Sequence, residues 1–299
     1  VDKVLVIVGP TGIGKTSLSI QLAKAFHGEI ISGDSMQVYD QMDIGTAKIT
    51  KEEMEGIPHY LVGIQAYDKP YNVKIFQEKA RESIQKILQK KKLPILCGGT
   101  GLYLKAALYD YVFEEETFDE AYTKYLETLN NDQLYDLLKS KDPLSCEKIH
   151  PNNRKRVIRA LQIVHEGPSK SQREALQEHK PLYDIYFLGL DMDRSLLYER
   201  INQRVETMFE QGLVQEATRL FQDPKTWNYT SFQGIGYKEF KPYFVGTETL
   251  DGVKENIKKH SRQYAKRQYT WFKHQMPVHW FDKEDPQIMT KIREWYDGK

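Results

Sequence analysis

Apolar positions along this chain fall into short unbroken runs, separated by longer stretches with helical spacing. Runs of strand length occupy Val4 to Val8, Glu29 to Ser32, Tyr60 to Ile64 and Pro94 to Cys97, and helices are predicted between them, notably over Thr16 to Phe26 and Val73 to Gln89. That alternation implies a parallel, doubly wound α/β sheet with helices on both faces. The middle of the chain changes character. Asp119 to Lys139 and Asn152 to His165 read as helical, with no strand between them. A strand returns at "DIYFLGL", Asp184 to Leu190, followed by a long helix from Ser195 toward Phe221, another from about Thr249 to His274, and a final strand over Val278 to Phe281. The expected organisation is a sheet core built from 1–112 and 182–299, with a mostly helical insertion domain over 113–181.

At 299 residues the chain is long enough for a sizeable core. No apolar run approaches the length of a membrane span, and no charged-then-apolar leader is visible, so a cytoplasmic protein with no membrane partner is expected, acting as a monomer. The chain starts at Val1 rather than Met, which suggests loss of an initiator or a short leader. Cys97 and Cys146 lie far apart and form no C-x-x-C pair, so neither a disulfide framework nor a zinc site is indicated. The net charge of +1 conceals segregation. From Lys254 to Lys273 seven basic residues stand against one acid, four of the six residues from Arg154 to Arg159 are basic, and Glu114 to Asp142 is acidic on balance. Such segregation fits either a groove for a polyanion or solvated helix faces.

The first strand runs directly into "GPTGIGKT", whose spacing is G-x-x-x-x-G-K-[ST]. Gly9, Pro10, Thr11, Gly12, Ile13 and Gly14 form the loop. Gly9 and Gly14 let it curl so that amides face inward, and the helix that follows aims its positive end at the same spot. Lys15 adds a point charge, and the Thr16 hydroxyl can ligate a Mg²⁺ held by two phosphates. A strand before and a helix after are the context this motif requires. The fold class is therefore α/β, a P-loop NTPase-like parallel sheet flanked by helices, and the site binds a di- or triphosphate.

What is missing narrows the reaction. No N-K-x-D element for reading guanine is present, and "LPILC" runs into "GGTG" rather than into a metal-holding Asp. Asp191 is a possible substitute far down the chain. Asp34, at the carboxyl end of the second strand, lies beside the phosphate loop in an open α/β sheet, where a carboxylate can take a proton from a nucleophile or cap a turn. A small-molecule kinase and an RNA-binding switch remain open at this point.

Six stretches in order resemble the tRNA dimethylallyltransferases (tRNA isopentenyltransferases), in their short bacterial-type form. They are "GPTGIGKT", "DSMQVY" with "MDIGTAK", "GGTGLY", "HPNNRKRVIRAL", "IGYKE" and "RQYAKRQYTWF". The resemblance implies transfer of a dimethylallyl group from dimethylallyl diphosphate to N6 of the adenosine 3′ to the anticodon, in tRNAs reading codons that begin with U. Diphosphate is then the leaving group, held by the loop residues with Mg²⁺ and by Arg204, the match to a family arginine. Asp34 is the matching position for the general base. Ser35, Met36 and Gln37 match the segment that touches the flipped nucleotide, with Gln37 able to read a base edge. Thr100 corresponds to a residue at the tRNA-contacting mouth of the pocket.

Basic faces extend the implied contact with the tRNA anticodon stem-loop. Lys155 and Arg159 share one helix face with Gln162, opposite Val157, Leu161 and Val164; the family more often has Gln at the position of Lys155. Arg262, Lys266, Tyr269 and Lys273 recur at intervals that make a second basic-aromatic face. Gly236, Tyr237 and Lys238 are further expected RNA neighbours, while Phe232 and Phe240 read either as stacking platforms or as core.

Overall fold

The computed structural model describes residues 1–113, 119–167 and 179–298, so residues 114–118 and 168–178 of the expected insertion lie outside the described residues. The chain divides into two compact units, Val1–Tyr109 with Pro181–Lys299, and Asp110–Lys180.

The larger unit holds six parallel strands: β1 (Lys3–Val8), β2 (Gly28–Ser32), β3 (His59–Tyr60), β4 (Leu93–Cys97), β5 (Asp184–Asp191) and β6 (His279–Asp282). Their order across the sheet is β3-β2-β4-β1-β5-β6. Because side chains alternate along a strand, β1 feeds two cores at once. Val4, Val6 and Val8 pack into a layer with Phe76, Ala80, Ile84 and Phe272. Leu5 and Ile7 pack on the other face with Leu18, Leu22, Leu197, Ile201 and Ala265. A strand apolar on both faces is what a sheet covered on both sides needs.

Three expected elements end earlier than their apolar patterns suggested, each for a local reason. The strand expected over Tyr60 to Ile64 stops at Tyr60, because Leu61 turns to φ +62° and leaves the extended region. The long helix expected from Ser195 to Phe221 is two helices, Arg194–Glu210 and Leu213–Leu220, parted at Gly212 with φ +102°. In the smaller unit, the stretch from Asp119 to Lys139 is likewise divided. The helix Glu120–Thr128 is followed by Asn131–Lys141, which starts at a reciprocal cap between Asn130 and Gln133. That unit's own core gathers Leu126, Leu134, Leu138, Val157, Ala160 and Leu161.

Candidate active site

The carboxyl ends of β1, β2 and β4 open onto the site, as expected for ligand binding in an open α/β sheet. After β1 the loop turns into the helix Lys15–Ala25, with Gly14 as its N-cap at φ +102°, a conformation that residues with a Cβ rarely adopt. No side chain caps this helix and its first turn carries no acid, so its positive end faces the site without a protein anion against it. Lys15 Nζ donates to the carbonyls of Gly9 and Pro10, both at 2.8 Å. Burial pulls the Lys15 ammonium down to about 8, with Arg204 adding to the effect and Asp34 opposing it. Burial likewise lowers the Arg204 guanidinium, whose Nη1 donates to Thr11 Oγ1 at 3.2 Å.

Thr11, Lys15 and Arg204, with Gly12, Gly14 and Thr16 of the loop, line a cavity of about 550 Å³ that Asp34, Gln37, Glu53, Arg200 and Gln268 also border. Two cations and a helix N-terminus at one end suit a diphosphate. The Thr16 side chain is exposed there and its hydroxyl makes no hydrogen bond among the described residues. A free hydroxyl in a cavity that Asp34 and Glu53 also border fits a hard divalent cation that takes most of its oxygens from water and phosphate, as Mg²⁺ does. Asp191 borders a different cavity, with Lys266 and Tyr269, and not this one.

The two carboxylate oxygens of Asp34 differ in their surroundings. Its Oδ1 accepts the amides of Met36 at 2.7 Å and Gln37 at 3.2 Å, closing the turn after β2. Its Oδ2 accepts no hydrogen bond among the described residues, and the side chain borders both the phosphate cavity and a second one. The second cavity, about 410 Å³, is walled by Ser35, Met36, Tyr71, Tyr103, Ile201, Val205, Met208, Ile235, Lys238, Tyr264 and Arg267 among others. Thr11, Asp34, Arg204 and Tyr264 border both, so the cavities meet there. Thr100 Oγ1 accepts the Ser35 amide at 3.3 Å, joining the start of the helix Gly101–Leu108 to the Asp34 turn.

Several expected contacts are engaged within the protein instead. Gln37 Nε2 donates to the carbonyls of Thr46 at 3.3 Å and Ala47 at 3.1 Å, so its amide nitrogen is occupied rather than free to read a base edge. Tyr237 is fully buried, its hydroxyl donates to Glu216 Oε1, and a Cβ on Gly45 would lie 2.5 Å from its ring. Gly236 is buried too, and a Cβ there would meet the Gly45 carbonyl at 2.6 Å. Neither residue presents a surface to RNA; the two glycines are small because two backbones and a ring are pressed together. Phe232 and Phe240 are also fully buried and belong to the core. Lys238, by contrast, borders the second cavity.

The long helix Leu250–Gln275 divides its residues between two cavities. Ser261, Tyr264 and Arg267 border the second cavity, whereas Lys266, Tyr269 and Lys273 border the separate cavity with Asp191. Arg262 Nη1 donates to Asn202 Oδ1 on the helix Arg194–Glu210. In the smaller unit, Lys155 and Arg159 are exposed on the helix Arg154–Glu166, opposite the buried Val157, Ala160 and Leu161. Gln162 on that helix donates to Thr123 Oγ1 at 2.8 Å.

Four residues of consequence were not singled out from the sequence. Gln268 is buried, takes the Thr11 amide on Oε1 at 2.9 Å and donates Nε2 to the Gly99 carbonyl at 3.0 Å. One loop amide is therefore turned to the long helix rather than inward. The glycines of "GGTG" make room for that helix: a Cβ on Gly99 or Gly101 would lie 2.0 Å from Gln268 or Trp271. Glu216 accepts the amides of Asp43, Ile44 and Gly45, each at 3.0 Å. Lys283, just after β6, lies against Gly14, where a Cβ would meet its Nζ at 3.1 Å. Tyr264 is the fourth. The "RQYAKRQYTWF" stretch announced its helix, but which residues turn inward depends on how that helix is rotated.

The IPP transferase family model matches residues 37–275. A tRNA dimethylallyltransferase of Enterococcus faecalis is 48% identical, with 100% of this chain and 99% of that protein covered. The crystal structure of a tRNA delta(2)-isopentenylpyrophosphate transferase from Staphylococcus epidermidis superposes with a TM-score of 0.73 at 45% identity, covering 98% of this chain and 99% of that one. A eukaryotic dimethylallyltransferase captured acting on tRNA gives a TM-score of 0.86 at 31% identity, with 100% of this chain and 80% of that one covered. With the phosphate loop, Asp34 and the adjoining cavity set in a parallel sheet, and with identity of this extent along its whole length, the chain belongs to the IPP transferase family.

Proposed function

We propose that this protein transfers a dimethylallyl group from dimethylallyl diphosphate to N6 of the adenosine 3′ to the anticodon, in tRNAs reading codons that begin with U. The observation that carries this reading is the meeting of two cavities at Asp34: one that suits a diphosphate, the other partly aromatic, as a flipped base and a short isoprenoid require. Lys15, Arg204 and the helix N-terminus hold the leaving group and stabilise the charge that grows on it. Mg²⁺ on the Thr16 hydroxyl and the donor's own phosphate oxygens would offset part of the same charge.

On the acceptor side, an exocyclic adenine amine is a poor nucleophile because its lone pair is delocalised into the ring. Positioning and proton removal therefore have to accompany bond formation. Asp34 Oδ2 accepts that proton, while Oδ1 keeps the turn in place. Ser35, Met36, Thr100 and Lys238 line the entry of the nucleotide, and the basic residues Lys155, Arg159, Arg262 and Lys266 contact tRNA phosphates. The enzyme acts as a cytoplasmic monomer. Among the described residues no helix is long and apolar enough to cross a membrane.

The test is to incubate the protein with Mg²⁺, dimethylallyl diphosphate and an anticodon stem-loop bearing adenosines 3′ to the anticodon, then weigh the RNA. A gain of one dimethylallyl group on the adenosine beside the anticodon, with diphosphate released, is the expected outcome. An unmodified RNA from folded protein would overturn the proposal, and ADP release from ATP would then favour a kinase.

A further inference from the structure

Breaking an allylic C1–O bond leaves the electron pair with diphosphate and positive charge on the allyl fragment. The N6 lone pair then forms the C1–N bond and the N6 proton passes to Asp34, so charge and atoms balance without any further reactant. The reaction proposed above puts the allyl carbon where the two cavities meet, bordered by Thr11, Asp34, Arg204 and Tyr264. Thr11 and Arg204 are hydrogen-bonded to each other on the diphosphate side, and a guanidinium repels a developing cation. Asp34 is the acceptor of the N6 proton. Besides the Asp34 carboxylate, the ring of Tyr264 is the one group of the four that attracts positive charge.

Resting on the reaction proposed above, we infer that the aromatic face of Tyr264 stabilises the allyl cation in the transition state and so contributes directly to catalysis. An aromatic ring carries negative charge on its faces and attracts a cation most strongly where water is excluded. Tyr264 is held for that task. Its hydroxyl lies within reach of the Thr100 and Gln268 side chains, and Gln268 is itself tied to Thr11 and Gly99. The Arg267 guanidinium, which borders the same cavity, sits 5.7 Å from the ring centroid and helps to fix the ring's orientation. Burial, with Asp34 adding to it, pushes the phenol up and keeps it protonated at neutral pH. The hydroxyl therefore anchors the ring and does not act as a base.

The experiment uses the full chain with Tyr264→Phe and with mono-, di- and trifluorinated phenylalanines at position 264, which keep the shape of the ring while draining its faces of charge. Measured against Tyr264→Phe, kcat should fall stepwise with each fluorine by about 2- to 30-fold in all, with both KM values nearly constant. A flat kcat across the series would overturn the inference. So would a loss in Tyr264→Phe as large as in the trifluoro variant, or a change confined to the KM for the donor. Wild-type protein without transfer activity would refute the underlying reaction instead, so the two failures are separable.

Discussion

The two oxygens of Asp34 allow its structural role and the proton-accepting role proposed for it to be separated by one substitution. Asparagine retains an oxygen that can accept the amides of Met36 and Gln37, so Asp34→Asn should keep the turn and bind both substrates. It cannot take the N6 proton, and kcat should fall by at least about 100-fold, as for loss of a general base, measured in single-turnover assays. Lys15 yields a pH dependence. A lysine held near 8 carries its full charge well below that pH and loses it above. Diphosphate favours the charged form, so donor binding takes up a proton once the free enzyme begins to lose it. Calorimetric titration from about pH 7 to about 9.5 should show donor Kd flat at first and weakening by up to about tenfold per unit above 8, a dependence absent from Lys15→Met.

At the scale of elements, the "MDIGT" and "IGYKE" stretches serve each other through Glu216. Its carboxylate gathers three amides from 43–45 and the Tyr237 hydroxyl, and the same loop offers the carbonyls of Thr46 and Ala47 to Gln37. Glu216→Gln points an amide donor at groups that are themselves donors. It should cost about 1–3 kcal/mol, read as a lower thermal midpoint, and should raise the KM for RNA more than that for the donor. The phosphate loop and Asp34 were legible in the sequence because each is local, a strand, a turn and a helix within one short stretch. Glu216 was not: its partners in the 43–45 loop lie more than 170 residues away, and nothing beside it announces them. Tyr237 and Gly236 misled for a related reason, since an aromatic beside a glycine looks alike whether it meets a base or a neighbouring backbone.

Across the whole molecule, the parallel sheet followed from alternating strands and helices, and the strand bounds differed mainly where a residue such as Leu61 takes a left-handed turn. The rotation of the long helix was beyond the sequence, because basic residues occur on several of its faces and Gln268 pins it across 257 positions to Thr11. The order of the strands has a consequence for how the protein is made. β1 lies at the centre of the sheet and is paired along its whole length, from Lys3 with Asp184 to Val8 with Gly189. A ribosome adding about 5–20 residues per second brings β5 out on the order of ten to forty seconds after β1. Through that interval β4 can cover one edge of β1 while the other edge, flanked by Val4, Leu5, Val6, Ile7 and Val8, stays open. The nascent chain is thus a natural client for chaperones until β5 has emerged.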